Sequence, residues 1–397
     1  MPTVFADSVR LPELLAACRR PIVVVGSGIF GSVVAERLAE GSGRDVFVLE
    51  RRSHIGGNSH SEIDPETGIE VHRYGSHIFH TKSEKVWNYI SRFTRFNTYR
   101  HKVMITYHDR VYAMPISLMT INAFFGKNLK PAEVEAFLAE STEKFRNRVP
   151  ANLEEKAIAL IGEDLYRAFI DGYTSKQWGR PAIELPAEII TRLPVRRNYN
   201  IDYFDDPFQG IPLDGYGKLF ERLLDHPKIR VFPNTDYFDV RHLIPENTEV
   251  VWTGMADQIL DYKYGPLEWR GLRFEWETLE VGDWQGTSVM NYADREIPWT
   301  RIHEFKHYHP ERAVFESGKT VICREFPEAW NPGDEAYYPI NNERNHALYQ
   351  KYADEILRRP GWHLGGRLGA YRYWDMDKAV EHALDLYEHA FCSGDVG

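Results

Sequence analysis

The stretch PIVVVGSGIFGSVVAERLAEGSGRDVFVLERRSHIGGN, residues 21–58, constrains this chain more than any other. A short β-branched run at 22–25 leads into Gly26, Gly28 and Gly31 at GxGxxG spacing, with Ser27 and Phe30 between them. A helical pattern follows (Val33, Val34, Leu38), then a second apolar run at 46–49 that ends in Glu50. The first glycine permits a tight turn, the second a close approach of backbone to a pyrophosphate, and the third close packing of helix on strand. The helix beginning there aims free N–H groups and a positive dipole end at an anion. Glu50, about 20 residues past the last glycine, is placed for a ribose hydroxyl. GxGxxG alone is a glycine-rich turn. Strand, glycines, helix, strand and acid together predict a dinucleotide site in a Rossmann-like α/β unit.

The rest of the composition narrows the setting. A chain of 397 residues can bury more than one core, so two or three subdomains are expected. No apolar run approaches the length of a membrane span, and Asp7, Arg10 and Glu13 interrupt any signal-peptide pattern. Cys18, Cys323 and Cys392 are isolated and lack metal-ligand spacing, which predicts no metal site and a reducing cytoplasm. The net charge of −10 argues against nucleic acid or an anionic membrane as partner, so an anionic ligand would need local arginines.

Arg51 and the Gly56-Gly57 pair, with Asn58, resemble the extension that many flavoproteins carry after the acid, which points to FAD. Residues 74–81 (YGSHIFHT) would return a second glycine turn to the cofactor. Alternation over 103–116 reads as a hairpin turning at His108-Asp109, and residues from about 117 to 179 read as helical. The Pro- and Arg-punctuated segment 181–198 is long and polar enough to be a lid. The expected division is an FAD-binding unit from 1–90, 212–257 and 362–397, a helical substrate unit at 115–185, and an antiparallel sheet unit from 91–114, 186–211 and 258–361.

Over essentially its full length the chain resembles the bacterial UDP-galactopyranose mutases. The resemblance rests on Gly26 to Gly31, Gly56-Gly57-Asn58-Ser59, the 74–81 segment, the block GYTSKQWG at 172–179, Thr300-Arg301-Ile302, Tyr337-Tyr338-Pro339 and Gly366-Arg367-Leu368-Gly369. The outer pieces occur in many flavoproteins, whereas the tyrosine–tryptophan block and Arg301 are more specific. The resemblance implies interconversion of UDP-galactopyranose and UDP-galactofuranose with no net redox, through a covalent adduct between the sugar and N5 of reduced FAD. It also implies an outside reductant for the flavin and a homo-oligomer.

Residue chemistry suits such a substrate. Tyr173 and Trp178 could sandwich a pyrimidine and Phe169 could wall the same pocket; alternatively these rings pack the helical unit. Thr174, Ser175, Lys176 and Gln177 around them make a poor core, which favours the ligand reading. By family position Arg192, from the lid, and Arg301, from the sheet, would clamp the diphosphate, since a guanidinium matches phosphate oxygens and stays charged. Composition alone does not separate Arg192 from Arg196 and Arg197. Tyr203, Tyr373, Asp375 and one of the pair Tyr337-Tyr338, taken as Tyr338, match further positions, and Asn291 would contact sugar or nucleotide. His101 stands where relatives have Asn, a departure at a sugar-contacting position. For the flavin, Arg367, Asp375 and Met376 would bring a helix N-terminus to the N1–C2=O edge, and His77 would approach N5. Two rival readings share this nucleotide fold: an amine-oxidase-type FAD oxidoreductase, with an apolar cavity and no phosphate-binding arginine pair, and a non-catalytic binder like the GDP-dissociation inhibitors, with no flavin.

Overall fold

The computed structural model describes residues 5–145, 148–192 and 195–392, without the side chains of Lys144, Glu188, Thr191 and Arg192. Two sheets organise the chain. The first is parallel and five-stranded, in the spatial order Trp362–Leu364, Glu249–Trp252, Ile22–Val25, Val46–Leu49, Ile229–Phe232. Its inner strands, IVVV and VFVL, are apolar throughout because both faces are covered, as parallel sheets require. One face packs on the helices Ile29–Gly41, Gly215–Leu224 and Met376–Leu386 through residues such as Val34, Leu38, Phe220 and Val380. Gly31 allows the first of these helices to lie close, since an added Cβ would stand 2.1 Å from the Gly26 carbonyl oxygen. Leu11 and Leu15 cover part of the other face, against Val23 and Phe47.

The second sheet has seven strands, in the order Tyr338–Pro339, Trp269–Leu279, Thr320–Ala329, Arg301–Glu304, Val289–Tyr292, Val103–Tyr107, Arg110–Met114. It is mixed rather than purely antiparallel: Val289–Tyr292 runs parallel to Val103–Tyr107, where two distant insertions meet. The expected hairpin turns at His108 and Asp109, both at positive φ. Helices Leu118–Phe125, Val134–Thr142 and Leu153–Ile161 build a separate core with this hairpin, and a π-helical stretch, Tyr166–Asp171, runs directly into the helix Gly172–Trp178.

One assignment needs correction. Helix Glu343–Leu357 falls in the span expected for the second sheet unit, yet its Tyr352 and Ile356 pack with Trp252 and Ile259 beside the parallel sheet. Its polar sequence hides a narrow apolar stripe that only the neighbouring strand selects. Among the described residues, no helix is long and apolar enough to cross a membrane.

Candidate functional site

A cavity of about 260 Å³ opens at the carboxyl ends of the parallel strands, the usual ligand position in such sheets. Of the residues expected to hold the cofactor, Gly26, Gly28, Phe30, Gly31, Glu50, Arg51, Gly57, Asn58, His77, Arg367, Asp375 and Met376 all line it. Ser27 does not. It is fully buried behind the loop and donates to Glu50 Oε2 through its backbone N–H (3.0 Å) and its hydroxyl (2.6 Å). Glu50 Oε1 accepts from the Arg52 N–H at 2.9 Å. The acid thus braces the glycine turn and still has lone pairs toward the cavity. Gly57, at φ +56°, brings the second glycine turn against the first: a Cβ there would lie 2.9 Å from the Gly28 Cα. This glycine-walled cradle fits a dinucleotide.

Arg51 is half exposed and pairs with Glu335 at 2.6 Å. Its neighbour Arg52, which sequence reasoning passed over, is the more buried of the two. It bonds Asn58 Oδ1 (2.9 Å) and Glu335 (2.8 Å) and lies over the Tyr74 ring. At the far end, the helix Met376–Leu386 begins at the cavity with an extended Asp375 that makes no side-chain capping bond. Arg367 donates to the Trp374 carbonyl oxygen at 2.6 and 3.1 Å, which holds its guanidinium in place. His77 donates Nδ1–H to the Gly75 carbonyl (2.7 Å). Burial, with Arg367 nearby, lowers its pKa to about 4, so at neutral pH Nε2 is an acceptor.

Next to this cavity lies a guanidinium–tyrosine cluster. Strand register builds its floor: Asn291, Arg301, Glu325 and Phe274 face one another across four neighbouring strands. Arg301 Nε is 3.3 Å from Glu325 Oε1, and its guanidinium hydrogen-bonds the Tyr173 hydroxyl. Buried beside Glu325, Tyr173, Tyr338 and Tyr203, Arg301 is held firmly in its charged form, while Arg301 and His303 hold Glu325 below the usual carboxylate range. Tyr338 and Tyr373 lie 5.2 Å apart, ring to ring, and the Arg367 guanidinium sits 4.9 Å from the Tyr373 ring. Arg367 thus links the cavity to the tyrosines of the cluster. The two tyrosines of the repeated pair have different neighbours: Tyr338 lies ring to ring with Tyr373 and near Arg301, whereas Tyr337 packs edge-on to Phe274 and lies near Arg52 and Tyr74. His101 is buried, with Nδ1 3.0 Å from the Tyr99 hydroxyl and its ring edge-on to Tyr203, and burial near Arg301 lowers its pKa to about 3. Asn291 Oδ1, buried on the same row, has no hydrogen-bond partner among the described residues.

Other expectations come out differently. Phe169 is 1% exposed and ringed by Tyr107, Tyr112 and Phe124, so it is a core residue of the helical layer rather than a pocket wall. Tyr173 and Trp178 do not face each other, because five residues along a helix place them about 140° apart around its axis. Tyr173 meets Arg301, while Trp178 packs toward the helical core. The polar residues between them do have structural uses. Thr174 and Gln177 are buried, and Lys176 Nζ donates to the carbonyls of Tyr292, Asp294, Ile297 and Trp299 at 2.8–3.1 Å. That lysine pins the helix to the loop leading into Arg301.

In the 181–198 segment, Ala182, Leu185 and Ile190 are buried against the helical core. Arg196 is buried and bound to Asp205 and to the carbonyls of Asn200 and Asp202, and Arg197 pairs with Glu135. Both are thereby committed elsewhere; the Arg192 side chain lies outside the described residues. Glu325 and His303 were missed by sequence reasoning. The available signal was a lone acid inside the apolar run TVICREF and a histidine two residues from Arg301 on the same strand face.

The family model for UDP-galactopyranose mutase matches residues 168–373, and one for an NAD(P)-binding Rossmann-like domain matches residues 24–93. A Klebsiella pneumoniae protein described as "Probable UDP-galactopyranose mutase" is 41% identical over 91% of this chain and 92% of its own. An Escherichia coli dTDP-fucopyranose mutase is 37% identical over 92% and 96%. A crystal structure of a reduced UDP-galactopyranose mutase shares the fold at a TM-score of 0.72, with 16% identity over 95% and 96% of the two chains. Together with the glycine cradle and the Arg301 cluster, these similarities place the chain in the UDP-galactopyranose mutase family.

Proposed function

We propose that the protein interconverts UDP-galactopyranose and UDP-galactofuranose with FAD as cofactor, active in its reduced form. The observation that carries this reading is that Arg367, at the edge of the glycine cradle, meets Tyr373, and Tyr373 meets Tyr338, beside the buried Arg301. Gly28, Gly57 and the helix that follows Gly28 would hold the diphosphate of FAD, Glu50 its ribose, and Arg367, Asp375 and Met376 the flavin end. Bound and reduced, FAD supplies a nucleophilic nitrogen for covalent catalysis at the anomeric carbon.

The protein's own contribution is charge and position. Arg301 and the hydroxyls of Tyr338, Tyr373 and Tyr203 would hold the diphosphate, so that UDP is retained when its bond to the sugar breaks. Glu325 neutralises part of the Arg301 charge from behind, which leaves the guanidinium oriented without an unpaired buried cation. Tyr173 would offer the uracil a ring, and Asn291 and His101 would serve as sugar-facing polar groups. Neutral His77 accepts a hydrogen bond at Nε2 from whatever occupies the cavity beside it. Arg192 would reach the diphosphate of bound substrate and help exclude water.

Dithionite-reduced protein incubated with UDP-galactofuranose should form UDP-galactopyranose without consuming an oxidant, and the oxidised protein should not. Conversion by oxidised protein at the same rate would exclude the role given to reduced FAD. Faster turnover of dTDP-fucofuranose would instead move the substrate assignment toward the second relative. The oxidoreductase reading requires net electron transfer to an acceptor, and the binder reading a colourless purified protein.

A further inference from the structure

The turn that carries His77 and the strand that carries Arg301 are far apart in the chain, yet a continuous set of buried contacts ties them. His303 Nδ1 meets Ser76 Oγ, and Ser76 Oγ also accepts from the Tyr308 hydroxyl. His303 Nε2 is 3.0 Å from Glu325 Oε2, and the other oxygen of Glu325 is 3.3 Å from Arg301 Nε. His303, Tyr308 and Glu325 are essentially inaccessible to solvent. The Gly75 turn presses on the same acid: a Cβ at Gly75 would stand 3.4 Å from Glu325 Oε2. Hydrogen positions follow from the donors. Tyr308 donates to Ser76, so the Ser76 hydrogen points to His303 Nδ1, and His303 donates Nε2–H to Glu325. Burial holds His303 below its ordinary pKa, consistent with this neutral tautomer.

A serine, a histidine and an acid in line suggest a nucleophile at first sight. Here the serine oxygen already accepts from Tyr308 and the acid is shared with Arg301, so these contacts orient groups rather than activate one. We propose that Ser76 and His303 are positioning residues that lock the cofactor-side turn at His77 to the Glu325–Arg301 pair, and so set the spacing between flavin and diphosphate. The proposal rests on the isomerase reading above. It assigns Ser76 and His303 a coupling role, with neither touching substrate.

The test compares reduced holoenzyme of the parent, Ser76→Thr and Ser76→Val, a pair that differs only in the hydroxyl. Misplacement by about 1 Å costs on the order of a hundredfold in rate, and loss of one tie is expected to cost at least about tenfold in kcat for Ser76→Val. FAD content and UDP Kd should stay within about threefold, because Arg301 and the glycine cradle remain. The change in flavin absorbance on UDP binding should disappear in Ser76→Val and persist in Ser76→Thr, a signature that a purely structural role would not produce. Equal behaviour of the two variants overturns the proposal. If Ser76→Val does not fold, Ser76→Ala replaces it, and retention of the parent's kcat and spectral change by Ser76→Ala is equally fatal. A parent that fails to convert UDP-galactofuranose brings down the isomerase reading and the coupling role with it. A parent that turns over while the variants match brings down the coupling role alone.

Discussion

The glycine cradle and the Arg301 cluster adjoin each other but are built on opposite plans. The cradle is made mostly of backbone from short contiguous segments, 26–31 and 56–58, plus one helix start at Asp375. It would meet an anion with N–H groups and small residues, and its charged neighbours Glu50, Arg51 and Arg52 are already engaged with backbone or with Glu335. The cluster is made of side chains from five separated segments, around Tyr173, Asn291, Arg301, Glu325 and Tyr338, and each charge in it depends on a partner from another strand. A site of the first kind tolerates change unless bulk is added. One of the second kind fails when any single partner is removed.

The largest effect should come from Arg301→Ala, which leaves Glu325 buried without its cation. That costs stability, and the lost charge-assisted contact to the diphosphate, worth about 1.5–3 kcal/mol, should lower kcat/KM by roughly tenfold to a hundredfold while FAD content is retained. Arg301→Lys should recover only part of this, because an ammonium lacks the planar fork. Loss of FAD from Arg301→Ala would break the separation of the two sites.

Gly57→Val tests the other side. Holding a branched residue at positive φ costs about 1–2 kcal/mol, and the added Cβ would meet the Gly28 Cα. FAD affinity, followed by flavin fluorescence, should drop at least about tenfold. UDP binding to the protein that still holds FAD should change little.

Next in size is the pair Tyr173→Ala and Trp178→Ala. Loss of a base–aromatic stack is worth about 1–3 kcal/mol, so Tyr173→Ala should weaken UDP by calorimetry. Trp178→Ala should mainly lower Tm, since Trp178 packs toward the helical core. The reverse pattern would restore Trp178 as the nucleotide platform.

The smallest effect is a pH dependence. Burial lowers the pKa of His72 to about 3, His77 to about 4 and His101 to about 3, against an ordinary value of 6.5. Between 6.5 and 4 the unfolded chain binds protons that the folded one refuses, so stability rises with pH in that window and is lost as pH falls through it. Tm should therefore decline below pH 6.5, and less steeply in His101→Asn, which removes one of the three groups. An unchanged slope in that variant would mean His101 is already protonated in the folded state.

Much of the cradle could be read directly from the chain. Gly26, Gly28 and Gly31 are near neighbours in the chain, and Glu50 and Gly57 follow in the same strand–helix–strand unit, so their spacing implies their geometry. Ser27 and Arg52 were misjudged there, because which side chain turns outward depends on what covers the loop. In the cluster, Arg301, Tyr338, Tyr203, Tyr373, Asn291 and His101 were named through resemblance, whereas Glu325 and His303 were not named at all. Lys176 counted against a core there because a buried lysine is costly in isolation; the four carbonyl oxygens that accept from it come from residues 292–299. Phe169 and Trp178 fit a nucleotide pocket and a hydrophobic core equally well as sequence, and only their neighbours separate the two.

The sequence by itself determined the first two parallel strands, the glycine turns and the hairpin at His108-Asp109, because these follow from periodicity and from backbone conformations that few residues allow. Tertiary structure alone decided the strand register that sets Asn291, Arg301 and Glu325 in one row, the different neighbours of Tyr337 and Tyr338, the capture of Arg196 by Asp205, and the link from Ser76 to His303. Each of these depends on which residues distant in the chain become neighbours, and on how far burial strengthens a charge or hydrogen bond between them. Neither quantity is written in any local stretch of sequence.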